Sequence, residues 1–361
     1  MHLYVHIPFC HHICPYCGFY KHEPGKLANA DFINAILTEA ENRGRNLGIP
    51  IKTIFLGGGT PTLLSPKLLK HLCEGLSRTL DFSQVQEWTI EANPATFDLD
   101  KARLMKSLGI NRVSLGVQSF QQDTLSTLGR DHSPDEAIQA YRTLREIDFE
   151  SVSIDLMFSI PGQTPELWQK DLENAISLLP DHVSAYNLTY EEDTEFLNRH
   201  QKGELDSSED RDADLFYATI DTLEDAGFEQ YEISNYAKPG HESLHNQAYW
   251  AGADYLGLGP GAVSTLSNER STSLADTAAY VKAITAGLDT RSDIEILSDE
   301  DKRVERIALQ LRTREGIPTG LVGSNPVESL IQQGLLIEKS GRLRLTRDGK
   351  ALADPVAAAI V

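Results

Sequence analysis

Short apolar segments rich in β-formers alternate with longer amphipathic segments along the first half of this chain. The strand candidates are residues 3–7, 52–56, 87–92, 112–117, 151–158 and 182–188. The helix candidates have apolar residues at helical spacing and cover residues 32–44, 66–80, 99–109, 134–147 and 165–179. Strands that alternate with helices form parallel sheets, since a parallel pairing needs a long crossover connection. The pattern predicts an α/β fold, either an open sheet or a barrel.

Polar or glycine-rich segments follow these strands. Three cysteines come after the first strand and the sequence GGGTPT comes after the second. Glu91 and Gln118 lie at the ends of the third and fourth strands, and Asp155 lies within the fifth. Parallel α/β folds place their sites at the carboxyl ends of the strands. The sequence therefore predicts a functional site at that edge of the sheet.

Three of the four cysteines, Cys10, Cys14 and Cys17, lie within eight residues, and Cys73 lies far away. Four cysteines in 361 residues are too few for a secreted disulfide scaffold. Two kinds of metal site remain open. An iron–sulfur cluster held by three thiolates would keep one iron free for a substrate or cofactor. A structural zinc site would need a fourth ligand. The histidines considered for that position are His6, His11, His12 and His22.

The glycine-rich segment GGGTPT (57–62) has two interpretations. Three glycines allow a ligand to approach the backbone, and free backbone N–H groups can hold a carboxylate or a phosphate. A tight turn explains the same residues. The segment is not a P-loop, because the terminal Gly-Lys-Ser/Thr is absent.

The composition predicts a globular protein. The net charge of −20 argues against a nucleic acid or an anionic membrane as the main partner. No run of 18 apolar residues is present, so we expect no membrane span. The first residues lack the basic region and cleavage site of a signal peptide, and we therefore expect a cytoplasmic protein.

The spacing Cys-x3-Cys-x2-Cys, followed by a glycine-rich loop, resembles the radical S-adenosylmethionine (SAM) superfamily. With YVHIPFC, GVQSF, LGRDH and DLMFSIPGQT, the chain is similar over about residues 1–355 to the branch that contains oxygen-independent coproporphyrinogen III oxidases and heme chaperones. The resemblance implies a partial (β/α)6 TIM-like barrel. It also implies that Cys10, Cys14 and Cys17 bind a [4Fe-4S] cluster whose open iron binds SAM.

The resemblance assigns further residues to SAM. Two tyrosines would flank the cluster, a Gly-Gly-Thr segment and two charged residues would hold the methionyl group, and the others would contact the ribose and the adenine. In that order they are Tyr4 and Tyr16; Gly58, Gly59 and Thr60; Glu91 and Arg130; Gln118 and Asp155; Thr189 and Val263. From the residues alone, Arg130 could equally form a surface ion pair, and Asp155 could be a buried strand residue.

Residues 244–264 separate the two functions of this branch. They contain a His-Asn-x-x-Tyr-Trp motif that matches the heme chaperones, and its members are His245, Asn246, Tyr249 and Trp250. Phe19 replaces the fourth cysteine of the oxidases, and only nine residues precede Cys10. The resemblance implies heme binding, with His245 on the iron and the aromatic rings on the porphyrin. The alternative is a segment that anchors its aromatic rings in the core, with His245 only hydrogen-bonded.

The main functional prediction is a heme chaperone that delivers heme to an acceptor protein, taken to be a membrane-associated respiratory component. A homodimer is compatible with it. The alternative is an oxidase that decarboxylates coproporphyrinogen III, an activity that the chaperone prediction excludes.

The last 64 residues predict a small α+β domain that resembles a winged helix, with a hairpin turning at Ser340 and Gly341. The predicted domains are 1–235 (barrel), 236–297 (heme motif) and 298–361. Basic residues on the wing raise a nucleic-acid-binding alternative, which the acidic chain disfavours. They are Lys339, Arg342, Arg344 and Arg347. The polar, charged segment 191–214 predicts a loop, which could form a mobile cover over the barrel mouth.

Overall fold

A computed structural model describes residues 1–25, 29–44 and 47–361, and the side chains of all of these except Ser324 and Asn325. The strands are β1 (His2–Ile7), β2 (Thr53–Gly58), β3 (Glu87–Ala92), β4 (Arg112–Gln118), β5 (Ser151–Phe158), β6 (His182–Asn187), β7 (Glu229–Glu232), β8 (Asn235–Ala237), β9 (Tyr255–Leu258), β10 (Val263–Leu266), β11 (Glu269–Ser273), β12 (Arg291–Ile296), β13 (Ile317–Pro318), β14 (Leu336–Lys339) and β15 (Arg342–Leu345). The α-helices are α1 (Asn29–Gly44), α2 (Pro66–Thr79), α3 (Leu99–Ser107), α4 (Gln122–Thr127), α5 (Pro134–Glu146), α6 (Pro165–Ser177), α7 (Glu195–Gln201), α8 (Glu209–Asp225), α9 (Leu244–Trp250), α10 (Thr277–Thr285), α11 (Asp299–Gln310), α12 (Ser324–Gln332), α13 (Arg347–Ala351) and α14 (Ala353–Ile360).

The strands β1 to β6 pair in sequence order and are parallel. They confirm the predicted α/β fold, and each lies within a few residues of its predicted position. On one side, β9 continues the sheet parallel to β1 and is followed by antiparallel β10, β11 and β12. On the other side, β6 pairs with antiparallel β8, which pairs with β7. In the described part of the chain β1 and β6 do not pair, so the six parallel strands form a partial barrel.

Apolar and polar residues alternate along the parallel strands. In β5, for example, Val152, Ile154 and Leu156 are fully buried on the outer face against the helices, whereas Ser153 and Asp155 lie on the inner face. Parallel strands covered on both faces by apolar layers read as continuous apolar runs. The alternation therefore marks an inner face that borders a polar cavity. The inner residues include His2, Tyr4 and His6; Thr53 and Phe55; Glu87, Thr89 and Glu91; Arg112 and Ser114; Ser153 and Asp155; and His182, Ser184 and Tyr186.

The carboxyl-terminal segment has the predicted order of two helices, a hairpin and further helices. The hairpin β14–β15 turns at Ser340 and Gly341, whose φ angles of 55° and 72° suit a two-residue turn between antiparallel strands. Residues between Ile307 and Ile360 form a hydrophobic core separate from that of the sheet. The prediction of three domains with boundaries at 235/236 and 297/298 stays a prediction.

The prediction for residues 191–214 is wrong about their local structure. They contain α7 and the start of α8, and Thr194 caps α7 by accepting a hydrogen bond from the backbone N–H of Leu197. The ring of Phe196 is fully buried 6.3 Å from the ring of Tyr16. The segment thus packs on the cysteine loop through a helix. No helix in the described part of the chain is long and apolar enough to span a membrane.

One histidine of the inner face is buried in its neutral form. His182 has its Nδ1 2.8 Å from the hydroxyl of Ser153 and its Nε2 2.7 Å from the hydroxyl of Tyr231. Burial, and then the charges of Arg112 and His241, lower its pKa well below 6.5. The unfolded chain takes up a proton on this ring below about pH 6.5, whereas the folded chain does not.

We expect this proton to make folding weaker in acid. As the pH falls from 7.5 to 5.5, wild-type protein should lose about 1.4 kcal/mol of unfolding free energy relative to His182→Gln, which has no proton to take up at this position. Urea unfolding of both proteins at pH 7.5, 6.5 and 5.5 measures this difference. Parallel pH dependences for the two proteins would contradict the assignment.

Candidate functional site

The loop that carries the three cysteines begins at the carboxyl end of β1 and is closed at its base by the backbone. The N–H of Cys10 donates to the carbonyl of His22 at 3.1 Å, and the N–H of His22 donates to the carbonyl of Pro8 at 2.9 Å. The Thr60 hydroxyl lies 3.7 Å from the sulfur of Cys10. Burial raises the pKa of the Cys10 thiol. Three thiols thus lie on one short, anchored loop at the predicted edge of the sheet.

Two of the four histidines considered as a zinc ligand already have both ring nitrogens in hydrogen bonds. The Nδ1 and Nε2 of His6 lie 2.9 Å from the Tyr4 hydroxyl and 2.7 Å from the Tyr20 carbonyl. Nδ1 of His22 lies 2.7 Å from the Glu23 carbonyl, and its Nε2 lies 2.7 Å from the Thr277 hydroxyl. Among the described residues, no three His, Cys, Asp or Glu side chains are grouped so that they could hold one metal ion.

Three N–H groups of the glycine-rich loop, those of Gly58, Gly59 and Thr60, already have partners within the protein. The N–H of Gly58 donates to the Glu91 carboxylate at 3.0 Å, that of Gly59 to the Ile7 carbonyl at 2.8 Å, and that of Thr60 to the Phe9 carbonyl at 2.8 Å. A side chain at Gly59 would meet the backbone of residues 7–9 at 2.8–2.9 Å. The glycine is therefore required for packing against the segment that leads into the cysteine loop.

A cavity of about 660 Å³ lies inside the partial barrel, next to the cysteine loop. All the residues predicted for the cluster and SAM line it except Tyr4 and Val263. Those that line it are Cys10, Cys14, Tyr16, Cys17, Gly58, Gly59, Thr60, Glu91, Gln118, Arg130, Asp155 and Thr189. The six strands thus bring residues that are far apart in sequence to one wall. Their roles toward SAM are not tested by this arrangement and stay predictions.

Three charged residues of this cavity, Glu91, Asp155 and Arg130, are partly buried. Burial raises the pKa of Glu91 to about 7, and burial likewise raises the pKa of Asp155, whose carboxylate accepts hydrogen bonds from Ser114 at 2.7 Å and Ser153 at 3.0 Å. Arg130 donates to the Gly116 carbonyl at 2.8 Å. Its Nη1 lies 3.7 Å from the Cys14 sulfur, and its buried Nε has no hydrogen-bond partner among the described residues. Arg130 is not a surface ion pair.

A second cavity, of about 960 Å³, opens between the two ends of the sheet, and we call it the lateral cleft. It shares part of its wall with the barrel cavity, including Phe19, Phe55, Glu91, Tyr186 and Asn246. The other members of the predicted heme motif line it together with Tyr4 and Val263. They are His245, Tyr249 and Trp250.

His245 lies on the first turn of α9 and is only 2% exposed. The carboxylate of Glu87 accepts hydrogen bonds from the backbone N–H groups of Leu244 and His245 at 2.8 and 2.9 Å, which fixes the start of this helix. Nδ1 of His245 lies 2.7 Å from the Thr53 hydroxyl, and its buried Nε2 has no partner among the described residues. Burial lowers its pKa to about 3, so the ring is neutral at pH 7.

Similar proteins identify the family. A model of the radical SAM superfamily matches residues 4–175. The heme chaperone HemW of Bacillus subtilis is 36% identical to this chain over 98% of this chain and 97% of its own length. HemW of Escherichia coli is also 36% identical, over 96% and 94%. The chain belongs to the radical SAM superfamily and, within it, to the HemW family.

A solved structure shows that a protein outside the HemW family shares the fold of this HemW family member. Coproporphyrinogen III oxidase (HemN) of Escherichia coli aligns with a TM-score of 0.86 over 99% of this chain and 89% of the oxidase, at 23% identity. At this identity the alignment shows a shared fold alone.

Sequence reasoning missed several residues of the two cavities in this HemW family member. Arg112, Ser114, His182 and Ser184 line the barrel cavity. Each lies two residues from another polar inner residue of its strand, so the signal was the alternation of polar and apolar residues within the strand. His245 lies at the opposite end of the barrel from the cysteines, because its partners Thr53 and Glu87 are the first residues of their strands.

The packing of the glycine-rich loop gives a test. Gly59→Ala should lower the unfolding free energy by about 1–3 kcal/mol, because its Cβ would overlap the backbone of residues 7–9. Gly320→Ala is the matched control, since a Cβ there meets nothing within 4 Å, and it should be near neutral. Urea unfolding in the absence of any ligand measures both changes. A Gly59→Ala protein as stable as Gly320→Ala would refute the packing requirement.

Proposed function

We propose that this chain is a heme chaperone that binds heme in the lateral cleft and a SAM-ligated [4Fe-4S] cluster beside the barrel cavity, and that passes its heme to an acceptor protein. The observation that carries the proposal is the buried Nε2 of His245, which has no hydrogen-bond partner among the described residues and lies on the wall of an aromatic cleft. The family supports it, because the relatives in Bacillus subtilis and Escherichia coli are named heme chaperones.

The hydrogen bonds around Thr53 prepare His245 for a metal. The Thr53 hydroxyl lies 2.7 Å from Nδ1 of His245 and 2.8 Å from Nδ1 of His2. A hydroxyl has one proton, so at least one of the two rings must donate its Nδ1–H to the Thr53 oxygen. When His245 donates, its Nε2 carries a lone pair that points to no protein partner. A neutral imidazole with its other nitrogen hydrogen-bonded is the form that ligates iron in proteins.

The walls of the cleft suit a flat aromatic ligand. The ring of His245 lies 5.2 Å from the ring of Phe55 and 5.1 Å from that of Tyr249, and Tyr249 packs on Tyr255 at 4.2 Å. Such rings can pack on a porphyrin face. The volume of the cleft lies in the range of cavities that bind ligands of this size.

The residues of the barrel cavity suit the other two groups. Cys10, Cys14 and Cys17 would supply three thiolates to the cluster, which with SAM would supply redox chemistry when bound. Arg130 would hold the carboxylate of SAM, because its buried Nε lacks a partner and its guanidinium can bind a carboxylate through two nitrogens. Glu91 and Asp155 would hold the amino group and the ribose hydroxyls.

The acceptor belongs to the same proposal. We take it to be a membrane-associated respiratory protein that is reached from the cytoplasm. The chaperone itself would work as a monomer or as a homodimer. Nucleic acid is not a proposed partner, since the chain carries a net charge of −20.

The cluster assignment predicts iron and sulfide contents. Anaerobically reconstituted protein should contain about four irons and four sulfides per chain. Replacing Cys10, Cys14 or Cys17 with Ser should abolish the cluster, whereas Cys73→Ser, a change in the hydrophobic core, should keep it. Iron and sulfide analysis with the visible absorbance measures both. Stoichiometric zinc without labile sulfide would rule out the cluster.

The heme assignment predicts the effect of removing one histidine. His245→Ala should weaken heme binding at least about tenfold, or block heme transfer, because the iron loses its ligand. His132→Ala is the matched control, since His132 is equally buried but lines neither cavity, and it should bind heme like wild type. A heme titration followed by absorbance measures the affinity.

The same preparations distinguish the oxidase. Reconstituted wild-type protein with SAM and a reductant should not convert coproporphyrinogen III to protoporphyrinogen IX. Steady formation of that product would overturn the chaperone and establish the oxidase in its place.

A further inference from the structure

The lateral cleft contains two guanidinium groups that neither the aromatic walls nor His245 explain. Of the described residues that line it, Arg270 and Arg312 are the only lysines or arginines. Their side chains are about 30% exposed, so they lie at the rim of the cleft and not in its depth. A cleft built only to hold a porphyrin ring would need no fixed positive charge.

The register of the sheet directs Arg270 toward the cleft. His2 pairs with Tyr255, Tyr255 pairs with Thr265, and Thr265 pairs with Arg270. Residues paired across adjacent strands point to the same face of a sheet. Arg270 therefore shares the inner face with His2, on the rim formed by β11.

Arg312 lies on the opposite rim. It follows α11, and its backbone carbonyl accepts a hydrogen bond from the N–H of Ile233 in the turn between β7 and β8. Its Nε lies 3.3 Å from the Glu232 carboxylate. Glu232 pairs with Asn235, which in turn pairs with Ser184 of β6. The two arginines thus flank the opening between the two ends of the sheet.

Both arginines hold carboxylates of the protein. Arg270 forms a two-nitrogen ion pair with Glu305 of α11, and the second contact measures 2.8 Å. Arg312 contacts Asp354 of α14 as well as Glu232. The Arg270–Glu305 and Arg312–Asp354 pairs are partly exposed and contribute little to stability, so exchanging Glu305 or Asp354 for a ligand carboxylate costs little, while the buried Glu232 keeps its contact with Arg312. The guanidinium groups are already arranged to bind carboxylates at the rim.

We propose that Arg270 and Arg312 form a carboxylate subsite of the lateral cleft that binds the two propionates of an iron porphyrin. The subsite rests on the proposed function, because it takes heme as the ligand of the cleft. Propionates are the charged groups of heme, and a guanidinium fork matches a carboxylate in shape and charge. Glu305 competes for Arg270, so binding of a propionate releases a contact between β11 and α11.

A pair of ligands tests the subsite directly. Heme and its dimethyl ester have the same iron and ring, but the ester carries no propionate charge. Arg270→Gln and Arg312→Gln should each weaken heme binding about tenfold, the size expected for a charge-assisted hydrogen bond, and leave binding of the ester unchanged. Absorbance titrations of the full chain in detergent buffer measure both ligands.

Helix α11, which carries Glu305, also offers matched controls. Arg303→Gln also breaks an ion pair of α11, the one with Glu300, but Arg303 lies outside the cleft lining and should leave both affinities unchanged. Glu305→Gln should tighten heme binding about two- to fivefold by freeing Arg270, while Glu300→Gln should not. Circular dichroism melting of each variant shows whether it is folded.

The outcomes separate this subsite from the proposed function. If wild-type protein binds heme, and Arg270→Gln and Arg312→Gln both show the wild-type ratio of heme affinity to ester affinity, the subsite is refuted. The chaperone proposal is then unaffected. Wild-type protein that binds neither ligand overturns the chaperone and the subsite together. An Arg303→Gln protein as weak for heme as the rim variants assigns the loss to α11 and also overturns the subsite.

Discussion

The outer faces of six parallel strands must be buried against helices, and the rest of the structure depends on that constraint. Burying one face of each strand fixes its register, because a shift by one residue would exchange the two faces. The inner face is then free to be polar, and in this chain it carries carboxylates, hydroxyls, imidazoles and a guanidinium. A barrel of this size filled by apolar side chains would have no room for a ligand. Here the polar inner face leaves a cavity of about 660 Å³.

A polar interior has an electrostatic cost that the hydrogen bonds of the wall offset. Asp155 is stabilised by the hydroxyls of Ser114 and Ser153, and Glu91 by the N–H of Gly58. Burial nevertheless raises the pKa of Glu91 to about 7, so the N–H of Gly58 offsets only part of the cost of burying this carboxylate. The buried Nε of Arg130 has no hydrogen-bond partner among the described residues, so its burial is not offset either. A zwitterionic ligand rich in hydroxyl groups, such as the SAM of the proposed function, would complete these contacts.

Much of this architecture could be predicted from the sequence, because strand and helix periodicity are local signals. The parallel strands, the hairpin at Ser340 and Gly341, and the cysteine loop all followed from patterns a few residues long. The lateral cleft did not, since it forms between β1 and β6, strands separated by more than 170 residues, and its rim needs α11. Arg270 and Arg312 carry no local motif. The prediction for residues 191–214 was wrong because a capped, charged helix such as α7 has the composition of a loop.

The two cavities share a wall, so a change in the packing of that wall would reach both of them. Phe19 borders both cavities and is 70% exposed, although it lies two residues from Cys17. Phe55 and Glu91 also face both sides. Proteins transmit changes through packed side chains with more than one arrangement, and a ligand shifts such an equilibrium only by its preference for one of them. The exposed ring of Phe19 gives the shared wall an aromatic surface that a ligand in either cavity would contact, and this makes Phe19 the side chain best placed to carry such a shift from one cavity to the other.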